Sequence, residues 1–187
     1  SQPRPQDGFL QGLTVRHGPQ DLLGRFFLRA VEEVRRRGIE LSFASFEDLV
    51  TVNAANRDTW IPLFPTFDPR FSTLTQENSF CLMGRNRAGE IVTTQAGRLF
   101  DWHDSDLGRE CEAMRFFYDD PARQCLPDET CEVTATSARQ ITGKATFIGG
   151  LWYRPDVRSL GLSPLMARIG RMYAYTRWLP DFSTAMI

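Results

Sequence analysis

The stretch Leu151–Arg168, LWYRPDVRSLGLSPLMAR, is where residue types and spacing come closest to chemistry. An apolar run ends in Trp152-Tyr153, and Pro155 stiffens the turn that follows. Arg158, Gly161 and Ser163 then fall at the spacing R-x-x-G-x-S, directly before a helical pattern. The first N–H groups of a helix lack intrahelical partners and its dipole favours negative charge, so such a turn can hold an anion. Gly161 omits a side chain where a phosphate would approach. Ser159, Leu160 and Leu162 add N–H groups in a nest-like curve, and Arg158 adds charge-assisted bonds. Arg168 and Arg171, on the next turns, would reach a more distant phosphate. Ser163 is placed as the helix N-cap, with Pro164 at the first helical position. The same residues also fit a plainer description, a capped helix after a strand with Gly161 serving the turn.

Proton transfer has its own candidates. Asp101, His103 and Asp104 lie together in the sequence DWHD. A neighbouring carboxylate would orient His103 and raise its pKa, as a general base requires. Glu110 and Glu112 follow on the next helical pattern. A polar turn and a solvated helix face account for these residues equally. Two carboxylates and one imidazole in a tight turn fall far short of a metal site, and no metal is expected. No nucleophile elbow, Walker loop or paired-cysteine motif occurs. Trp60, Phe64, Phe67, Phe71, Phe116, Phe117 and Tyr118 would line an apolar substrate pocket or else belong to the core.

The elements that must carry these residues follow from periodicity and turn signals. Phe9–Arg16 reads as a short strand. Leu22, Leu23, Phe26, Phe27, Ala30, Val31 and Val34 recur at helical spacing, from Asp21 as N-cap to Gly38. A strand at Ile39–Phe43 precedes a capping box, Ser45 with Asp48. A second short helix is expected around Arg57–Leu63, then a Pro-rich loop. Phe80–Gly84 and Glu90–Trp102 form a hairpin around RNRAG. A weak helix spans Leu107–Phe117, and residues 119–143 read as an irregular insertion. Thr146–Tyr153 is a buried strand whose Gly149-Gly150 pair suggests a bulge. Arg154–Leu160 reads as a loop, Pro164–Trp178 as a helix and Phe182–Ile187 as a strand. The order predicts one α/β (α+β) domain with a mixed sheet over residues 9–187, after a polar tail at 1–8.

Composition narrows the function classes. Apolar residues are 42% and charged residues 24% of 187, a globular mix with no uncharged stretch long enough for a membrane span. A net charge of −1 argues against a dedicated nucleic-acid binder. Cys81, Cys111, Cys125 and Cys131 form no close pair, and the N-terminus lacks a cleavable apolar leader. Free thiols and a cytoplasmic location are the expectation, although Cys125 and Cys131 flank a turn that could bring them together.

The segment LWYRPDVRSLGLS resembles the acyl-CoA binding motif of the GNAT superfamily of N-acetyltransferases. Arg158 and Gly161 occupy two of its three fixed positions, and Ser163 stands where the family has Gly or Ala. Pro155 also sits where many members carry proline. The element order from residue 39 onward is similar to the first two-thirds of that fold, with an extra N-terminal helix and the insertion at 105–143. The family's last third is not matched, and a sheet edge open at Phe182–Ile187 makes a homodimer an expectation. The resemblance implies acyl transfer from acetyl-CoA or another acyl-CoA to a small-molecule or peptide amine. It implies pyrophosphate on the N–H groups of Arg158, Ser159, Leu160, Gly161, Leu162 and Ser163. It also implies pantetheine along Leu151, Trp152 and Tyr153, and a backbone N–H near Leu151 polarising the thioester carbonyl. The alternative is the same fold as a binding module without turnover.

Overall fold

The computed structural model describes residues 8–185. The tail expected at residues 1–8 lies outside the described residues except for Gly8, which bridges Ser42, and the last two residues of the expected final strand lie outside them too. The mixed α/β sheet flanked by helices is the architecture observed. Five strands run in the order β1 (Glu40–Phe43), β2 (Ser79–Arg85), β3 (Ile91–Trp102), β4 (Gly143–Tyr153) and β5 (Phe182–Ala185). The first four are antiparallel, and β5 lies parallel to β4.

Two helices pack on one face of the sheet. Helix α2 (Gln20–Arg36) buries Leu23, Phe27, Ala30, Val31 and Val34, one stripe at helical spacing. Helix α6 (Leu162–Trp178) buries Met166, Ile169, Tyr173 and Ala174 beside it. The expected strand at Phe9–Arg16 is not formed. Phe9–Gly12 is instead one helical turn, α1, whose Phe9 ring packs on Phe27, Phe43 and Tyr173. Tertiary burial of that ring outweighs the local alternation that suggested a strand.

The opposite face carries α3 (Phe46–Ala55), whose Ser45 hydroxyl accepts the Asp48 N–H as the capping box requires. No second helix follows. Residues 56–59 form a turn closed by the Thr59 N–H on the Asn56 carbonyl, and the Asn53 amide then donates to the Ile61 carbonyl and accepts the Leu63 N–H. The weak helix stops early: α4 covers Leu107–Glu112, and Met114 takes a positive φ of 62°. The insertion holds one helical turn, α5 (Pro121–Gln124), and a 3-10 turn at Thr136–Gln140. Buried Arg98 on β3 anchors it by bonding Asp119 and the Thr66 carbonyl. Of the aromatic residues expected as a pocket wall or core, Trp60, Phe67 and Phe116 are core, with Phe64 and Phe117 packed half-buried against them. Phe67 stacks on Phe147, Phe116 meets Phe100 and Phe147, and Trp60 stacks on Trp152.

All four cysteines are free. Cys131 lies within hydrogen-bond reach of Cys111.

Candidate functional site

The middle of β4 is irregular. Thr94 pairs with Trp152 and Ala96 with Gly149, so Gln95 alone faces Gly150 and Leu151. This is a β-bulge, one extra residue on β4, and it bends the strand. Gly150 has φ 59°, and a Cβ there would press on Ala96 at 3.2 Å. The Thr94 hydroxyl donates to the Gly150 carbonyl at 2.7 Å and pins the bulge. Strand β5 pairs with β4 only over Ala145–Ile148. Beyond the bulge, β4 has no partner on that side among the described residues. A narrow slot of about 100 Å³ opens there, lined by Gln95, Ile148, Leu151, Ala167, Arg171 and Ser183–Ala185. The amide of Gln95 is fully buried and has no hydrogen-bond partner among the described residues. Gly170 makes room for it, since a Cβ on α6 there would meet the amide at 2.3 Å.

The turn after β4 differs from the expected loop. Pro155–Leu160 is a 3-10 turn, and α6 starts at Leu162, two residues before the expected first position. The cap is Gly161 in the left-handed region, φ 66°, not the Ser163 side chain. A hydroxyl before Pro164 looked like a cap signal, but the left-handed glycine already ends the preceding turn. Pro164 thus becomes the third residue of the helix, and the leading free donors are the N–H groups of Leu162 and Ser163. A Cβ added at Gly161 would meet nothing within 4 Å, so the space in front of the helix end is open.

Side chains hold this turn in place. Arg37, just past α2, donates from Nε to the Leu160 carbonyl at 2.7 Å. In a trans peptide the following N–H points the opposite way, so this bond fixes the direction of the Gly161 N–H. Arg158 donates from Nε to the Tyr153 carbonyl and from Nη2 to the Thr59 carbonyl. Its guanidinium therefore braces β4 against the loop at Thr59. The Tyr153 phenol neighbours the Ser163 side chain, and burial raises its pKa. Arg154 is committed to Asp156 and Glu90. Arg171 lines the slot, whereas Arg168 lies in the groove between α2 and α6.

The sequence brings Leu151–Ser163 together as one unit, but His103, Asp101 and Glu110 are elsewhere. Asp101 pairs with Lys144, five residues before Gly149, so it lies roughly 17 Å along the strand from the bulge. His103 is bonded to Asp101, and both are exposed. Glu110 is held by Arg115 and Ser105, and the Arg115 bonds keep its carboxyl below the usual range. These groups line a separate hollow at the far end of β3. Proton transfer needs contact at about 3 Å, so none of them reaches the slot. Two features escaped sequence reasoning, Arg37 and Gln95. Neither has a local signal: the Leu160 carbonyl that Arg37 bonds is 123 residues away, and Gly170, which makes room for Gln95, is about 75 residues away in the chain.

No family model and no curated protein matches the chain. Solved structures do. The chain is similar to an aminoglycoside antibiotic 6'-N-acetyltransferase from Acinetobacter baumannii, at 12% identity over 80% of each chain and a TM-score of 0.44. It is similar to a predicted acetyltransferase with acetyl-CoA from Clostridium acetobutylicum, at 10% identity over 80% of each chain and 0.42. It is also similar to a GCN5-related N-acetyltransferase from Ralstonia eutropha, at 15% identity, covering 80% of this chain and 84% of the other, with 0.41.

Proposed function

We propose that the chain is an acyl-CoA-dependent N-acyltransferase that moves an acyl group from a CoA thioester to an amine by direct transfer. One observation carries this reading: the bulged β4 borders the slot at Leu151 and leads through the Pro155–Leu160 turn to the open, glycine-capped end of α6. The N–H groups of Leu162 and Ser163, with that of Gly161 oriented through Arg37, would hold the pyrophosphate. Leu151, Trp152 and Tyr153 offer an unpaired strand edge for a pantetheine amide chain. When bound, the acyl-CoA supplies an activated thioester carbonyl. The chain's part is to hold that carbonyl and the amine in register, which is a large share of such catalysis.

A second reading is the same site as a binding module without turnover. The observation that favours it is the slot lining, which contains no carboxylate and no imidazole.

Calorimetric titration with acetyl-CoA and with free CoA tests the site. Micromolar binding is expected, and Gly161→Val should weaken it at least tenfold, because the side chain enters the phosphate space and forces the backbone out of φ 66°. A folded Gly161→Val protein that binds CoA normally would overturn the site. Thiol release from acetyl-CoA with an amine panel then separates the readings. Turnover supports the transferase, and tight binding with no turnover on any amine supports the binding module.

A further inference from the structure

The arginines of α2 divide into two groups. At the C-terminal end Arg35 is paired with Glu40, Arg36 with Glu32, and Arg37, just past the helix, with Glu33. Arg25 and Arg29, nearer the start, are exposed and have no ion pair or hydrogen bond among the described residues. Asp21 stands four residues before Arg25, and Glu33 four residues after Arg29, spacings at which helical ion pairs form. Neither spacing is used, and the Glu33 carboxylate is taken by Arg36 and Arg37. Across from them on α6, Arg168 is exposed and equally without a partner among the described residues. The chain as a whole carries a net charge of only −1, so this is a local excess of positive charge and not the sign of a basic protein.

The three arginines line one groove of about 510 Å³ between α2 and α6. Its apolar wall is built from Phe26 and Leu165, both half-buried, and from Leu22, which is 59% exposed. The Phe26 ring stands edge-on to buried Phe27, which fixes it in place. Ala30, one turn further on, adds only a methyl group to the wall. Leu22, Phe26 and Ala30 repeat every four residues and so form one strip along α2. From Leu22 to Arg29 the strip runs about 10 Å, two helical turns. Apolar surface in a groove favours a chain segment that can bury it, and the unpaired guanidinium groups favour carboxylates on that segment.

We propose that this groove docks an acidic amphipathic helix of a partner protein. Apolar residues of that helix, spaced at i and i+4, seat on Leu22, Phe26 and Leu165, and its flanking carboxylates meet Arg25, Arg29 and Arg168. The apolar contact supplies affinity that exposed ion pairs alone cannot, and the charges select the partner. The docking stands whether or not the chain transfers acyl groups.

Fluorescence anisotropy on the full chain tests this with a labelled helical peptide that has leucine at i, i+4 and i+7 and glutamate beside each leucine. One comparison peptide replaces glutamate by glutamine, and another replaces leucine by serine. Saturable binding of the acidic peptide is expected, roughly tenfold tighter than the glutamine peptide and weakened by salt, with none for the serine peptide. Arg25→Gln combined with Arg29→Gln should bring the acidic peptide to the level of the glutamine peptide, and Leu22→Ser should weaken both. Equal affinity of the two leucine peptides, no saturable binding, or unchanged affinity in the double variant would each overturn the proposal. So would displacement of the peptide by saturating free CoA, which would give the arginines to the cofactor's phosphates. Tighter binding to phosphatidylserine vesicles would overturn it in favour of a membrane. Self-association in sedimentation that the double variant abolishes would overturn it in favour of a second copy. All three substituted side chains are exposed, and the comparison of peptides on the unaltered chain decides the matter even if a variant fails to fold.

Discussion

Arg37 acts on a peptide far from it in the chain. Its bond to the Leu160 carbonyl sets the turn, while its Nη1 bonds the Glu33 carbonyl and carboxylate. A hydrogen bond from a charged group contributes about 1.5–3 kcal/mol, so Arg37→Ala should weaken CoA binding roughly tenfold without touching the ligand. Calorimetry checks this, and Arg37→Lys, which restores a donor, should recover part of the loss; unchanged affinity in Arg37→Ala would assign the arginine to folding alone. Glu110 carries a prediction in pH. Its Arg115 bonds hold its folded pKa below the unfolded value of about 4.3. Its contribution to stability is therefore present above that value and lost as pH falls through the folded pKa. Glu110→Gln should flatten the acid side of the stability curve below about pH 4.5, measured by urea midpoints across pH, and leave the slope above pH 6 unchanged. At this scale the sequence was legible where one residue decides the outcome alone, as in the Ser45 cap. It misled at Ser163, because a hydroxyl before proline and a left-handed glycine are competing cap signals, and only the backbone angle of Gly161 chooses between them.

Gly97 shows how tightly one element constrains another. It lies opposite Phe80 on β2, and a Cβ there would approach the Phe80 ring to 2.3 Å. That ring is already packed on Tyr173 and Trp178 of α6. Gly97→Ala should cost about 1–3 kcal/mol through overpacking, read as a lower urea midpoint. A midpoint at or above the parent's would mean that the ring has room to turn. The hairpin, the bulged strand and both long helices were visible in the sequence because each has a strong period or a glycine signal. The end of β3 was visible too, but its distance from the bulge was not. Sequence motifs say nothing about how far apart two segments lie along paired strands, and so the distance of His103 and Asp101 from the bulge was not legible.

The whole molecule is a sheet with a separate core on each face. Phe27, Leu82, Ile148 and Met166 belong to one, and Leu49, Met83, Phe116 and Phe147 to the other. The core thiols belong to the second of these cores. Cys81 is buried and its pKa is raised by desolvation, and burial pushes Cys111 up to about 12. Cys125 and Cys131 are half-buried in the insertion. A thiol reagent at pH 8 should modify two cysteines quickly and leave two untouched until the chain unfolds. Rapid reaction of all four would mean that the second core, Cys81 on β2 included, opens under native conditions.

The Arg37 tie has a thermodynamic corollary. Helix α2 and the turn before α6 share a bond, so the docking of one and the ordering of the other are linked equilibria. An anion that orders the turn must tighten α2 against the sheet by the same free energy with which a docked α2 favours the anion. Amide exchange in α2 should then slow on ligand binding, although no ligand atom touches that helix, and the Arg37→Ala substitution should uncouple the two.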